Sequence, residues 1–132
     1  MVLDTHALVW WMADPGRIPA RSRRLLKAAV ASEDGVAVSA ISAWEVAMLV
    51  ARGRLALTMP ADAWLAHVES LPFVRFVPVD SRIAVASVQL EGFPGRDPAD
   101  RIIVATALGL GATLVTADRR LRAWHQVATV WT

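Results

Sequence analysis

The chain has 132 residues, 55% hydrophobic and 20% charged, with a formal net charge of only +2. That composition excludes a disordered chain and excludes attachment to nucleic acid by bulk charge alone, and the length suits one domain over residues 1–132. Cysteine is absent, which removes disulfides, zinc–cysteine sites and thiol nucleophiles, and three scattered histidines (His6, His67, His125) do not make a histidine-rich metal site.

The opening Met1-Val2-Leu3-Asp4 puts a carboxylate where an export signal needs basic and apolar regions. The longest uncharged run, residues 102–117, contains two glycines and is too short to cross a bilayer. A cytoplasmic protein without a membrane segment is therefore expected.

Short β-branched runs alternate with longer helical patterns along the chain. A strand at 2–3 leads into helices over 5–13 and 20–32. A second strand at 36–39 precedes helices over 42–52 and 61–70. A third at 76–79 is followed by a helix over 81–90. The helix over 98–110 feeds a strand at 113–116, and a short helix over 119–124 precedes a last strand at 127–131. The strand runs are continuously apolar, as in parallel strands covered on both faces, so the alternation predicts an open α/β/α sandwich.

Boundary residues support these elements. Asp97-Pro98-Ala99-Asp100 supplies a cap, a proline at the first helical position and an acid in the first turn. Ser42-Ala43-Trp44-Glu45 has capping-box spacing, and Gly53 and Gly111 stand where helices end. Residues 91–96, with Pro94 and two glycines, form a loop suited to a mobile, substrate-facing element. Trp10, Trp44 and Trp64 fall on apolar helical stripes and are assigned to core or subunit contact; packing is also preferred for Trp11 and Trp124.

The carboxylates are unevenly placed. Asp4 ends the first strand and Asp118 follows the fourth, while Glu45 and Asp100 fall in the first turns of two helices. In an open parallel sheet, strand C-termini and the following helix N-termini share one edge, where such folds bind ligands. Each acid taken singly has a capping explanation, and Asp80, after the third strand, carries the same local signature. Glu45, however, has Ile41, Met48 and Leu49 at helical spacing, and Asp100 precedes Ile103 and Val104. Ionised carboxylates buried without a partner cost several kcal/mol. A divalent cation neutralises such a group, and a site of hard oxygen donors selects Mg²⁺ or Mn²⁺.

Four segments together resemble the motifs of PIN-domain nucleases. Asp4-Thr5-His6-Ala7-Leu8-Val9-Trp10 is similar to their opening, and Ser39-Ala40-Ile41-Ser42-Ala43-Trp44-Glu45 to their second acidic motif. Asp97-Pro98-Ala99-Asp100-Arg101-Ile102-Ile103-Val104-Ala105-Thr106-Ala107 is similar to the third and Leu114-Val115-Thr116-Ala117-Asp118 to the fourth. The resemblance is strongest to VapC toxins of type II toxin–antitoxin pairs. It implies a three-layer α/β/α PIN-like fold with a parallel sheet of about five strands in the order 3-2-1-4-5, which sets Asp4 beside Asp118 and leaves Asp80 on an outer strand. The first strand, three residues before Asp4, is shorter than is usual for the family.

The resemblance also implies a Mg²⁺-dependent (or Mn²⁺-dependent) endoribonuclease that hydrolyses RNA phosphodiester bonds by a metal-activated water. Asp4, Glu45, Asp100 and Asp118 are the expected catalytic and metal-holding residues, with Asp97, Thr116 and Thr5 as secondary candidates. A homodimer and a VapB-type antitoxin covering the acidic groove are the expected partners. Thirteen arginines stand against a single lysine, and guanidinium forks suit phosphates. The cluster Arg17, Arg21, Arg23, Arg24 and Lys27 and the group Arg119, Arg120 and Arg122 are expected on the RNA backbone, Arg119 and Arg120 foremost. A phosphoacceptor domain would need a lysine after a late strand, and a dehalogenase-like phosphatase an aspartate where His6 stands. The remaining alternative is a non-catalytic PIN-like module that binds RNA or a partner.

Overall fold

Successive residues of a strand point to opposite faces of its sheet, and here both faces are covered. The computed structural model describes residues 1–132. Its elements are β1 (Val2–Leu3), α1 (Thr5–Ala13), a 3₁₀ turn (Pro15–Arg17), α2 (Ala20–Val30), β2 (Val36–Ser39), α3 (Ala40–Ala51), α4 (Ala61–Ser70), β3 (Val74–Val77), α5 (Ser81–Val88), α6 (Pro98–Leu110), β4 (Leu114–Val115), α7 (Arg119–Ala123) and β5 (Thr129–Val130). All strand pairs are parallel and the order is β3-β2-β1-β4-β5, as expected.

Leu3, Val36, Val38, Val115 and Val130 face one layer, where they meet Leu8 of α1, Leu26 of α2, Val46 of α3 and Trp64 and Val68 of α4. Val2, Ala37 and Leu114 face the other, against Ile103, Val104 and Ala107 of α6, Leu121 of α7 and Trp124. Each Val or Leu so buried contributes ~2 kcal/mol relative to exposure. The two-residue strands β1 and β4 persist because both faces are held in this way, and β5, at the sheet edge, is anchored by Val130. No helix is long and apolar enough to cross a membrane.

Several boundaries differ from expectation. β3 begins at Val74 rather than residue 76: it is an edge strand, so the charge of Arg75 is exposed there at no cost, and Pro78 follows its end. α3 starts at Ala40, because Ser39 is its cap and accepts from the Ile41 N–H at 3.2 Å. Ser42 therefore lies inside the helix and the expected capping box is not formed. Glu45 consequently sits in the second turn of α3, not the first. α2 and α5 stop short of their expected ends, at Val30 and Val88.

Residues 91–96 are anchored. Arg101 donates to the carbonyls of Gly95 (3.1 Å) and Ser87 (3.0 Å), the Trp124 indole donates to Glu91 O (3.1 Å), and buried Phe93 meets Trp124 edge-on at 5.2 Å. Trp44 is 56% exposed and so is not a core residue of the single chain, whereas Trp64 is buried and Trp10 and Trp11 pack against the first core layer.

Gly35 makes the close approach that starts the β2–β3 pairing. Its φ is +59°, and a Cβ there would lie 2.5 Å from Phe73 O, the acceptor of the Val36 N–H. Gly35→Ala is expected to lower stability by ~3 kcal/mol, read as a shifted midpoint in urea denaturation; an unchanged midpoint would contradict this packing.

A carboxylate cleft at the carboxyl edge of the sheet

Each acid reaches the cleft from a helix start or an early helical turn. Asp4 follows β1 and caps α1, its Oδ1 accepting from the Ala7 N–H at 2.8 Å. Asp118 follows β4 and caps α7, its Oδ1 accepting from the Arg120 N–H at 2.8 Å. β1 and β4 are neighbours, with Leu3 paired to Val115, so the two aspartates emerge side by side where the strand order reverses. Asp97 caps α6 through the Ala99 N–H at 2.9 Å, and Asp100 lies one turn further on. With Glu45 of α3, these five carboxylates line one cleft of about 480 Å³. The lookalike Asp80 caps α5 through the Ile83 N–H at 2.9 Å, beyond the outer strand β3 and outside the cleft.

Hydroxyl groups tie the acids to the frame. Buried Thr116 accepts from the Asp118 N–H at 3.1 Å, and its hydroxyl lies close enough to the Asp4 carboxylate to favour the ionised form. Buried Thr5 donates to Glu45 Oε1 at 2.6 Å and lies 2.9 Å from Ser42 Oγ. Ser42 is the one member of this network not anticipated; its spacing of three residues from Glu45 on one helix face was the available signal.

Burial governs the charges. It pushes the Asp4 and Glu45 carboxyls above their ordinary values, against the opposing hydrogen bonds of Thr116 and of Thr5 respectively. Asp100 is pushed up to about 6, by burial first and then by the neighbouring charges of Asp97, Glu45 and Asp118. Burial also acts upward on Asp118, but the Arg120 side chain and the Arg120 and Leu121 N–H groups outweigh it and hold that carboxyl low.

Arg120 is the cation of the cleft. Its Nη2 stands 3.1 Å from Asp118 Oδ2 and 3.7 Å from Asp100 Oδ2, and its Nε 3.4 Å from Asp118 Oδ1. The guanidinium thus pairs with two acids of the cleft. Arg119 is exposed and does not line the cleft. His6 lies at the cleft wall, with its ring 5.9 Å from that of Trp10.

The donor set suits a hard divalent cation. It is all oxygen apart from His6, Asp4, Glu45 and Asp100 resist ionisation through burial, and the one cation present, Arg120, bridges Asp100 and Asp118. As the side chains stand, no three acidic or histidine groups close around one point, since Asp4, Asp97 and Asp118 each give one oxygen to a helix cap and Asp118 gives the other to Arg120.

The sequence matches the family model described as PIN domain over residues 1–125. It is 40% identical to Ribonuclease VapC22 of Mycobacterium tuberculosis (strain ATCC 25618 / H37Rv) over 134 residues, which covers 99% of this chain and 98% of that protein. Among solved structures it resembles VapBC2 from Rickettsia felis bound to a promoter DNA fragment, with TM-score 0.71, 16% identity and coverage of 99% and 98% of the two chains. It likewise resembles DNA-bound VapBC from Salmonella typhimurium, with TM-score 0.68, 18% identity and coverage of 98% and 95%.

The raised Asp100 carboxyl fixes a pH dependence for the metal-free chain. Between its ordinary value of 3.8 and about 6 the folded state binds more protons than the unfolded one, so stability falls as pH rises through that window. Asp100→Asn is expected to remove much of this fall and to raise stability at neutral pH by ~1–2 kcal/mol, allowing for solvent screening. Urea denaturation in EDTA at both ends of the window checks it; an unaltered pH slope in the variant would contradict the assignment.

Proposed function

The chain belongs to the PIN-domain family and to its VapC branch, and from that premise we propose that it is a divalent-metal-dependent endoribonuclease, the toxin of a VapBC-type toxin–antitoxin pair. The reading rests above all on one observation: five carboxylates from four distant segments line one cleft at the strand-order reversal, three of them with raised affinity for protons. Residues 1–132 form a single PIN domain in this reading. RNA is the substrate, a VapB-type antitoxin and a second copy of the chain are the partners, and the cytoplasm is the compartment.

Asp4, Asp100 and Asp118 would hold Mg²⁺ or Mn²⁺, Glu45 completes the acidic wall, and Asp97 adds a further carboxylate at the rim. Bound there, the ion supplies a water of lowered pKa and offsets charge developing on the phosphate. Thr116 fixes the relative position of Asp4 and Asp118, and Thr5 fixes Glu45, so the oxygens are oriented before substrate arrives. Arg119, exposed at the start of α7, remains available to a phosphate near the cleft mouth.

Asp4→Asn, and separately EDTA, are each expected to lower RNA cleavage in Mg²⁺ by ~100-fold or more, the scale of several kcal/mol of charge stabilisation. Equal cleavage by parent, variant and chelated parent would remove the nuclease mechanism, and retained RNA binding without any cleavage by the parent would favour the non-catalytic binding module. Because Arg120 neutralises Asp100 and Asp118, Arg120→Gln is expected to bind Mn²⁺ several-fold more tightly by isothermal titration calorimetry. Weaker or unchanged binding would mean that the guanidinium does not compete for those oxygens.

A further inference from the structure

A second groove, of about 740 Å³, continues from the carboxylate cleft. The two share Thr5, His6, Trp10, Glu45 and Asp97. Beyond these the lining changes sign. Arg17 comes from the 3₁₀ turn after α1, Arg52 from the C-terminal cap of α3, and Arg54 from the residue after Gly53. Gly53 has φ +69°, so the chain reverses there and brings Arg52 and Arg54 to the same groove. Val9, Met48, Leu49 and Leu55 provide apolar lining, and the Arg17 guanidinium lies 4.3 Å over the Trp10 ring.

These three arginines are exposed, and none has a carboxylate partner within 4 Å: the only ion pairs of the chain are those of Arg120. A cation at a helix C-terminus favours the helix dipole, which accounts for Arg52 but not for Arg17 or Arg54. Glu45 and the C-cap residue Arg52 stand seven positions apart along α3, about 10 Å along the axis, the reach of a few phosphates of one strand. We propose that this groove is the track of the substrate strand. Arg17, Arg52 and Arg54 hold phosphates on one side of the scissile bond while that bond lies over the acids. A single-stranded phosphodiester chain suits both ends of the groove: bidentate guanidinium forks grip its backbone, and the apolar lining meets its unpaired bases. The proposal rests on the ribonuclease reading for what happens at the acidic end.

The test uses the full chain carrying Asp4→Asn, so that RNA stays intact, and a short fluorescein-labelled single-stranded RNA in Mg²⁺, followed by anisotropy over a series of KCl concentrations. Adding Arg17→Ala, Arg52→Ala and Arg54→Ala together is expected to weaken binding roughly tenfold or more and to flatten the slope of log affinity against log salt by about 2. Arg82→Ala on α5, away from the groove, is expected to change neither. Lysine at the three positions, which keeps charge and bulk, should restore the salt slope; it also provides the reading if the alanine variant fails to fold by circular dichroism. Unchanged binding and slope in the alanine variant would overturn the proposal, as would a lysine variant that folds but keeps the flattened slope. A groove that serves a protein segment instead of RNA would give that first result. Cleavage by the parent without Asp4→Asn separates the two claims. A parent that cleaves, with a triple variant that binds RNA as the parent does, defeats the groove alone. A parent that binds RNA but never cleaves, with a triple variant that shows the expected slope loss, defeats the ribonuclease reading and leaves the track standing.

Discussion

Confinement of five carboxylates to one partly buried cleft is the constraint on which the rest of this structure depends. Left to themselves, five acids would splay into solvent. Here the backbone prevents it, because Asp4, Asp97 and Asp118 each close the first turn of a helix with one oxygen. Sheet order does the remainder. β1 and β4 are neighbours, so the residues that follow them cannot separate, and Thr116 ties the Asp118 N–H to the end of β4. Confinement then shows in the protons: Asp100, which caps nothing, has its carboxyl pushed up to about 6, by burial first and then by the charges of three other acids.

The fold meets that charge with a single guanidinium. Arg120 comes from the short helix capped by the very acid it pairs with, so its position is set locally, two residues from Asp118. A side chain 57% exposed is held by little apart from these contacts. Elsewhere the arginines are spread over the surface without carboxylate partners, and three of them collect along one groove by way of the turn at Gly53 and the 3₁₀ turn after α1. Opposite charges thus occupy opposite ends of one continuous depression.

Most of the fold was legible because parallel strands buried on both faces leave continuous apolar runs, and helix ends carry their caps in the residues themselves. Val36–Ser39 and Pro98–Leu110 were read without displacement for those reasons. The errors arose where two equivalent local signals competed. Ser39 and Ser42 both offer a hydroxyl, and the strand's end, not the spacing to Glu45, decides that Ser39 caps. Arg75 hid the start of β3, because exposure at a sheet edge is a property of topology that no window of residues contains. The four acids were found by their uneven placement and their motifs. Arg120's pairing with them and the joining of Arg17 to Arg52 and Arg54 were not, since both depend on how separate segments lie in space.

Double duty at the helix starts carries one more consequence. An asparagine in place of Asp4, Asp97 or Asp118 keeps the carbonyl oxygen that the backbone N–H requires and discards only the charge, whereas alanine discards both. Architecture and chemistry in this cleft are therefore separable by a single atom. A lineage can lose the reaction and keep the shape in one conservative step, so silent descendants of such a protein are structurally cheap to produce and hard to tell from active ones by fold alone.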